Sequence, residues 1–282
     1  MKCAWQAYLN LLPHWMRQEV DKYGKENLQE LHMRTGLRPV MHSGSGLRKL
    51  DRTVTSEDVT FVINAASEYS PWAAKTLSKG YLTGQGGHRI GVCGAATVAD
   101  GRMQGISRPT SVCLRVARDF EGISASASEV TDSLLIIGPP GSGKTTLLRD
   151  LIRAKSDSGQ GNISVVDERE ELFPTHKGQA CFDTGEHTDI ISGCSKSEGI
   201  DAVLRSMNPS WIAVDEITET ADCDALLQAG WCGVNLIATA HAGSLQDFLS
   251  RPVYKPLVAH KLFSTLLVLR RDKSWKLERM YL

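Results

Sequence analysis

Several things are scarce in this 282-residue sequence, and each scarcity narrows what the protein can be. Net charge is missing: 32 Lys and Arg balance 32 Asp and Glu, so overall electrostatics select no strongly acidic or basic partner. The seven cysteines are odd in number and include no C-x-x-C pair, which argues against a disulfide framework or a zinc knuckle. Scattered thiols fit a reducing, cytosolic compartment. Aromatics reach only 6% and the Lys and Arg residues are dispersed, which disfavours a stacking groove for nucleic acid. Stretches such as "LFSTLLVL" (262–269) have the length of a strand, and none approaches the ~20 apolar residues of a membrane helix. The segment "MKCAWQAYLNLLPHWM" lacks a continuous apolar core and a small-residue cleavage site, so it does not read as a signal peptide. No internal repeat is present. The expectation is a soluble protein with no transmembrane segment of its own.

Two parts are visible along the chain. Residues 1–122 carry 16 basic and 11 acidic groups, and the remainder carries 16 and 21. Trp5, Tyr8, Leu9, Leu12, Trp15 and Met16 recur at roughly helical spacing in a segment ending near Tyr23. Strands are expected at 28–34 and 39–42, with "SGSG" (43–46) as the turn. "TSEDVTFVINAAS" predicts a helix capped by Thr55 or Ser56. "GGHRIGVCG" and "TSVCLRVARD" read as strands, and the small, polar "GISASASEV" (122–130) as a linker. Beyond it, near-continuously apolar strands alternate with helices: strands at 134–137, 163–166, 211–214 and 235–240, helices from 143, around 198–207 and around 221–229. That pattern predicts an α/β domain with a mainly parallel sheet buried on both faces. The expected division is an α+β N-terminal domain at 1–124 and an α/β domain at 125–282. The C-terminal "RRDKSWKLERMYL" reads as part of an edge strand pair.

Chemistry concentrates at the ends of these strands. Gly138-Pro139-Pro140-Gly141-Ser142-Gly143-Lys144-Thr145, followed by Thr146, fits G-x-x-x-x-G-K-[ST] between a strand and a helix. Its glycines let backbone N–H groups curl around phosphates, and the helix N-terminus adds its positive end. Lys144 is expected on the β- and γ-phosphates and Thr145 on Mg²⁺. "SWIAVDEI" ends a strand in Asp215, a second magnesium residue, and Glu216, the residue placed to polarise attacking water. "ISVVDERE" places Asp167, Glu168 and Glu170 at another strand end, and "LIATAHA" places Thr239 and His241 at a third. In a parallel sheet such termini share one crevice. The expected ligands are ATP and Mg²⁺.

The order of the phosphate loop, "VVDERE", "HTDIISGCSKSEGI", "LRSMNPSWIAVDEI" and "ATAHA" resembles the stage III sporulation protein AA family. That family is in turn similar to the hexameric motor ATPases of type II and type IV secretion systems. The resemblance implies a RecA-like core, makes Asp167, Glu168 and His241 catalytic or γ-phosphate-sensing, and nominates Arg89, Arg108, Arg115, Arg118 and Arg205 as arginines that close on the phosphates. It departs at His187, where the family usually has arginine, and at Thr218-Glu219, where a Gly-Arg-like pair is usual. It implies an ATP-hydrolysing homo-hexamer in the mother-cell cytoplasm, docked on membrane-embedded proteins of a channel to the forespore, with nucleic acid not expected as a partner. Two alternatives stand beside it: an ATPase stimulated by nucleic acid, and a nucleotide-stabilised scaffold with little turnover.

Overall fold

A computed structural model describes residues 1–68, 77–159 and 161–280. The chain forms two compact units, one of residues 1–119 with 174–182 and one of 120–173 with 183–282.

In the first unit Pro13 divides the N-terminal helical stretch into α1 (Trp5–Asn10) and α2 (His14–Tyr23), because proline cannot donate the amide a continuous helix requires. The strands are β1 (Leu28–Arg34), β2 (Val40–Ser43), β3 (Gly46–Lys49), β4 (Tyr81–Thr83), β5 (Arg89–Ala99) and β6 (Arg102–Arg115). They form an antiparallel sheet in the order β3-β2-β1-β6-β5-β4. Alternation decides its faces. Leu31, Met33, Met41, Val112 and Leu114 point into a core shared with Tyr8, Leu12, Met16 and Val20. Glu30, His32, His42 and Cys113 are only half-buried. Helix α3 (Ser56–Ser67) adds Val59 and Val62 to that core. Its cap is Thr55, whose hydroxyl accepts the Asp58 N–H while the Asp58 carboxylate accepts the Thr55 N–H.

A short hairpin, β9 (Thr175–His176) with β10 (Gln179–Ala180), belongs to this unit, although its sequence neighbours belong to the other. Glu68 holds it through His176 at 3.0 Å and Lys177 at 2.8 Å. Nothing in the local pattern announces this excursion.

The second unit is built on β7 (Leu134–Gly138), β8 (Ile163–Asp167), β11 (Thr188–Ser192), β12 (Trp211–Val214), β13 (Asn235–His241), β14 (Thr265–Leu269) and β15 (Trp275–Arg279). The order is β11-β8-β12-β13-β7-β14-β15. Every neighbouring pair is parallel except β14–β15, which closes the edge as an antiparallel hairpin. Strands β7, β8 and β12 are buried along their whole length, Ser164 and Asp167 of β8 included. Helices α4 (Lys144–Asp157), α5 (Lys196–Ser206) and α6 (Thr220–Trp231) connect and cover them, with short α7 (Leu245–Ser250) and α8 (Lys255–Ala259) after β13. Helix α5 approaches β8 closely at Gly199, where a Cβ would lie 2.4 Å from Val166 Cγ1.

The 122–130 segment, read above as a linker, is fastened down. Asp150 accepts N–H groups from Gly122 at 2.9 Å and Ser124 at 2.7 Å. Lys155, fully buried, donates to the carbonyls of Ser128 and Val130 and lies 4.1 Å over the Trp211 ring. Burial lowers the Lys155 pKa to about 8.

Candidate nucleotide site

The glycine-rich turn joins the buried end of β7 to the first residue of α4. Gly141 and Gly143 have φ of 72° and 100°, conformations that a side chain would strain. At Gly138 a Cβ would lie 2.7 Å from both the Leu269 carbonyl and Ser142 Oγ, so only glycine lets the turn curl this tightly. Helix α4 has no side-chain cap at Gly143, which leaves its first amides open to an anion.

The residues of the turn are drawn inward. Lys144 is buried and donates to the carbonyls of Gly138 at 3.0 Å and Pro139 at 3.2 Å. Desolvation lowers its pKa, opposed by the negative charges of Asp215 and Glu216. A third bond runs from Lys144 Nζ to His241 Nδ1 at 2.9 Å. With Nδ1 accepting, His241 donates its Nε2–H to Glu216, 3.0 Å away. Thr145 donates to Asp215 at 2.7 Å, and Thr239 donates to the other oxygen of Asp215 at 2.5 Å while accepting the Glu216 N–H at 2.8 Å. Glu216 has a φ of 53°. An L-residue in that region carries strain of a kind that gathers at working sites. Lys144, Thr145, Asp215, Glu216 and His241 therefore form one continuous network across the ends of β7, β12 and β13.

The residues fit a magnesium nucleotide. Ser142 Oγ is buried in the turn without a hydrogen-bond partner, an uncompensated polar atom that a phosphate oxygen would satisfy. Thr145 and Asp215 offer the hard oxygen donors that Mg²⁺ prefers.

The other nominated residues fall into two groups. Asp167 is buried, and its two oxygens accept the N–H groups of Glu171, Leu172 and Phe173 at 2.9–3.0 Å. Desolvation still pushes its pKa up to about 6. Its carboxylate holds the 168–173 turn, with Arg149 bonded to the carbonyls of Glu171 and Leu172. Glu168 pairs with Lys196 at 2.6 Å, and Lys196, itself buried, also meets Asp222 at 3.4 Å. These groups line the same cleft as Asp215 and Glu216. Four of the five arginines have local partners. Arg89 lies 4.0 Å over the Tyr81 ring, Arg115 pairs with Glu30 at 3.0 Å, and Arg118 donates to the carbonyls of Lys25 and Leu28. Arg205 pairs with Asp201 on its own helix at 2.9 Å. Arg108 is exposed on β6. Of the departures, Thr218 and Glu219 donate their N–H groups to Asp222 and cap α6. The His187 N–H donates to Ser156.

Two cations escape a reading by motif. Arg169 pairs with Glu216 at 3.0 Å. Lys273, in the β14–β15 turn, donates to the Gly141 carbonyl at 2.6 Å. No spacing links either residue to its partner.

This fold is shared with motor proteins of known structure. The fold aligns with the ATPase DotB of Yersinia pseudotuberculosis at a TM-score of 0.59 and 14% identity, covering 95% of this chain and 79% of that one. It aligns with the pilus retraction motor PilT bound to ADP, also at 0.59, with 15% identity and coverage of 89% and 76%. The chain thus shares the fold of these ATPase and motor structures. At the sequence level, the family described as "Sporulation stage III, protein AA" matches residues 6–280, and the chain belongs to it. Stage III sporulation protein AA of Bacillus subtilis (strain 168) is 37% identical over 231 residues, 78% of this chain and 75% of that protein. The putative type II secretion system protein E of Escherichia coli (strain K12) is 30% identical over 118 residues, 42% of this chain and 22% of that one.

Proposed function

We propose that this chain is a Mg²⁺-dependent ATPase that works as a homo-hexameric ring, in the mother-cell cytoplasm, on membrane proteins of a channel to the forespore. The observation that carries the enzymatic reading is the network joining Lys144, Thr145, Asp215, Glu216 and His241, bridged by Thr239, through contacts of 2.5–3.0 Å. The sporulation setting rests on family membership. The ring and the docked channel rest on likeness to the secretion motors.

Lys144 is satisfied here by two carbonyls and an imidazole. Exchanging those partners for β- and γ-phosphate oxygens keeps its charge compensated while moving it onto the substrate. Thr145 and Asp215 would hold Mg²⁺, which when bound neutralises charge on those phosphates. Glu216 is placed to orient the attacking water. His241 ties the position of Glu216 to that of Lys144, so a change at one is felt at the other. Charge that spreads over the transferring phosphoryl group would be met by an arginine from a second copy of the chain, as arginine fingers do elsewhere.

The test is ATP binding and turnover in two variants. Lys144→Ala is expected to lose both, and Glu216→Gln to lose turnover while still binding. Full turnover in either refutes the site. Binding without turnover in the wild type would favour the scaffold reading.

A further inference from the structure

The half-buried face of the first unit's sheet gathers metal-binding side chains that the nucleotide chemistry does not use. Strand register puts them there. Glu30 and His32 are two apart on β1 and share a face, His42 on β2 lies opposite Glu30, and Cys113 on β6 lies opposite His32. Directly paired side chains on one face have Cβ atoms about 4.5–5.5 Å apart. One donor atom from each of Glu30, His32 and His42 falls within 4.8 Å of the other two. The two imidazole centroids are 4.6 Å apart, and Cys113 Sγ is 3.5 Å from His32 Nε2.

We propose that Glu30, His32 and His42, completed by the Cys113 thiolate, form a Zn²⁺ site that staples β1, β2 and β6 together. The donor set decides the metal. Imidazole with thiolate suits a borderline-soft ion in four-coordinate geometry, whereas Mg²⁺ and Ca²⁺ prefer oxygen donors throughout. Three successive strands, with β1 between β2 and β6, supply all four groups, so rotation of the His42 and Cys113 side chains toward β1 brings the donors together. Their half-burial leaves a path for the ion to enter.

Two arginines border the group and must yield. Arg115 Nε is 3.0 Å from Glu30 Oε1, and Arg34 donates to His32 Nδ1 at 3.3 Å. A His32 that ligates through Nε2 carries its proton on Nδ1, so the Arg34 bond is lost on loading. Both arginines are exposed and can turn to solvent.

The experiment titrates chelator-stripped, full-length protein, without nucleotide, with Zn²⁺ in competition with a chromophoric chelator. One saturating Zn²⁺ per chain is expected, with a rise in thermal midpoint and no displacement by excess Mg²⁺. The site is expected to be lost in the double variant His32→Asn/His42→Asn, with circular dichroism confirming that the variant folds. Co²⁺ loaded into wild-type protein should give the intense visible bands of a four-coordinate ion and a thiolate charge-transfer band that Cys113→Ser removes. Absence of saturable Zn²⁺ binding, or equal binding in the double variant, overturns the proposal. If that variant fails to fold, X-ray absorption at the zinc edge of wild-type protein decides instead: imidazole scattering supports the site, and a shell without imidazole sinks it.

Discussion

His88 shows how one side chain can set the acid tolerance of its unit. It is fully buried, accepts the Ala117 N–H at Nδ1 and donates from Nε2 to the Ala4 carbonyl, both at 3.0 Å. The first of these bonds requires the neutral ring, because a protonated Nδ1 cannot accept. Burial, the leading cause, lowers its pKa from 6.5 to about 4, with the Ala4 bond opposing and the Arg118 charge assisting. Between those values the unfolded chain binds a proton that the folded chain refuses. The stabilisation is therefore complete above about pH 6.5 and is lost as pH falls toward 4, a change of roughly 3 kcal/mol. Urea unfolding of wild type and His88→Gln at several pH values should show the gap between them closing in that window. A gap independent of pH would show that His88 titrates normally. Asp167 has the opposite sign. Its raised pKa means that folded protein takes up the proton first, so its contribution weakens as pH rises from 3.8 toward about 6.

Among the elements, α3 is specified by its own sequence more fully than any strand. Thr55 and Asp58 close a reciprocal capping box, and Glu57 and Asp58 favour the positive end of the helix. Thr55→Ala removes the hydroxyl acceptor and is expected to cost about 1 kcal/mol of stability, read by chemical denaturation. A cost near zero would mean that packing of Val59 and Val62 alone holds the helix. Helix α5 has a similar box at Ser195 and Glu198. The strands behave differently: β7 and β12 are apolar runs that say they are buried, but nothing within them says which neighbours they pair with.

At the scale of the whole molecule, the family likeness covers 6–280, spanning both compact units. If the working form is a ring whose sites are completed by a neighbouring copy, activity per chain must depend on assembly. ATP turnover per protein is expected to rise with protein concentration and then level off, with light scattering reporting growth to a hexamer over the same range. Constant activity per chain across dilution, with a monomer throughout, would remove the ring from the reading and leave the single-chain site intact.

Much of the candidate nucleotide site was legible because it is local. A glycine turn between an apolar strand and a helix, and carboxylates closing another strand, are short-range patterns with short-range physical causes. The strand at 28–34, the cap at Thr55 and the edge hairpin at the C-terminus were readable for the same reason. Other features depend on which strands lie side by side. The parallel register of β12, β13 and β7 joins Thr239 to Asp215 and His241 to Lys144. The β14–β15 turn carries Lys273 to the Gly141 carbonyl. Only the fold reveals that Asp167 gives its oxygens to three backbone amides, or that His42 and Cys113 flank Glu30 and His32. Backbone preference and apolar periodicity act over a few residues, so the sequence by itself settled the α3 cap, the strand and helix flanking the glycine turn and that turn's local form. Strand pairing joins residues far apart along the chain, and tertiary structure alone decided which side chains would meet.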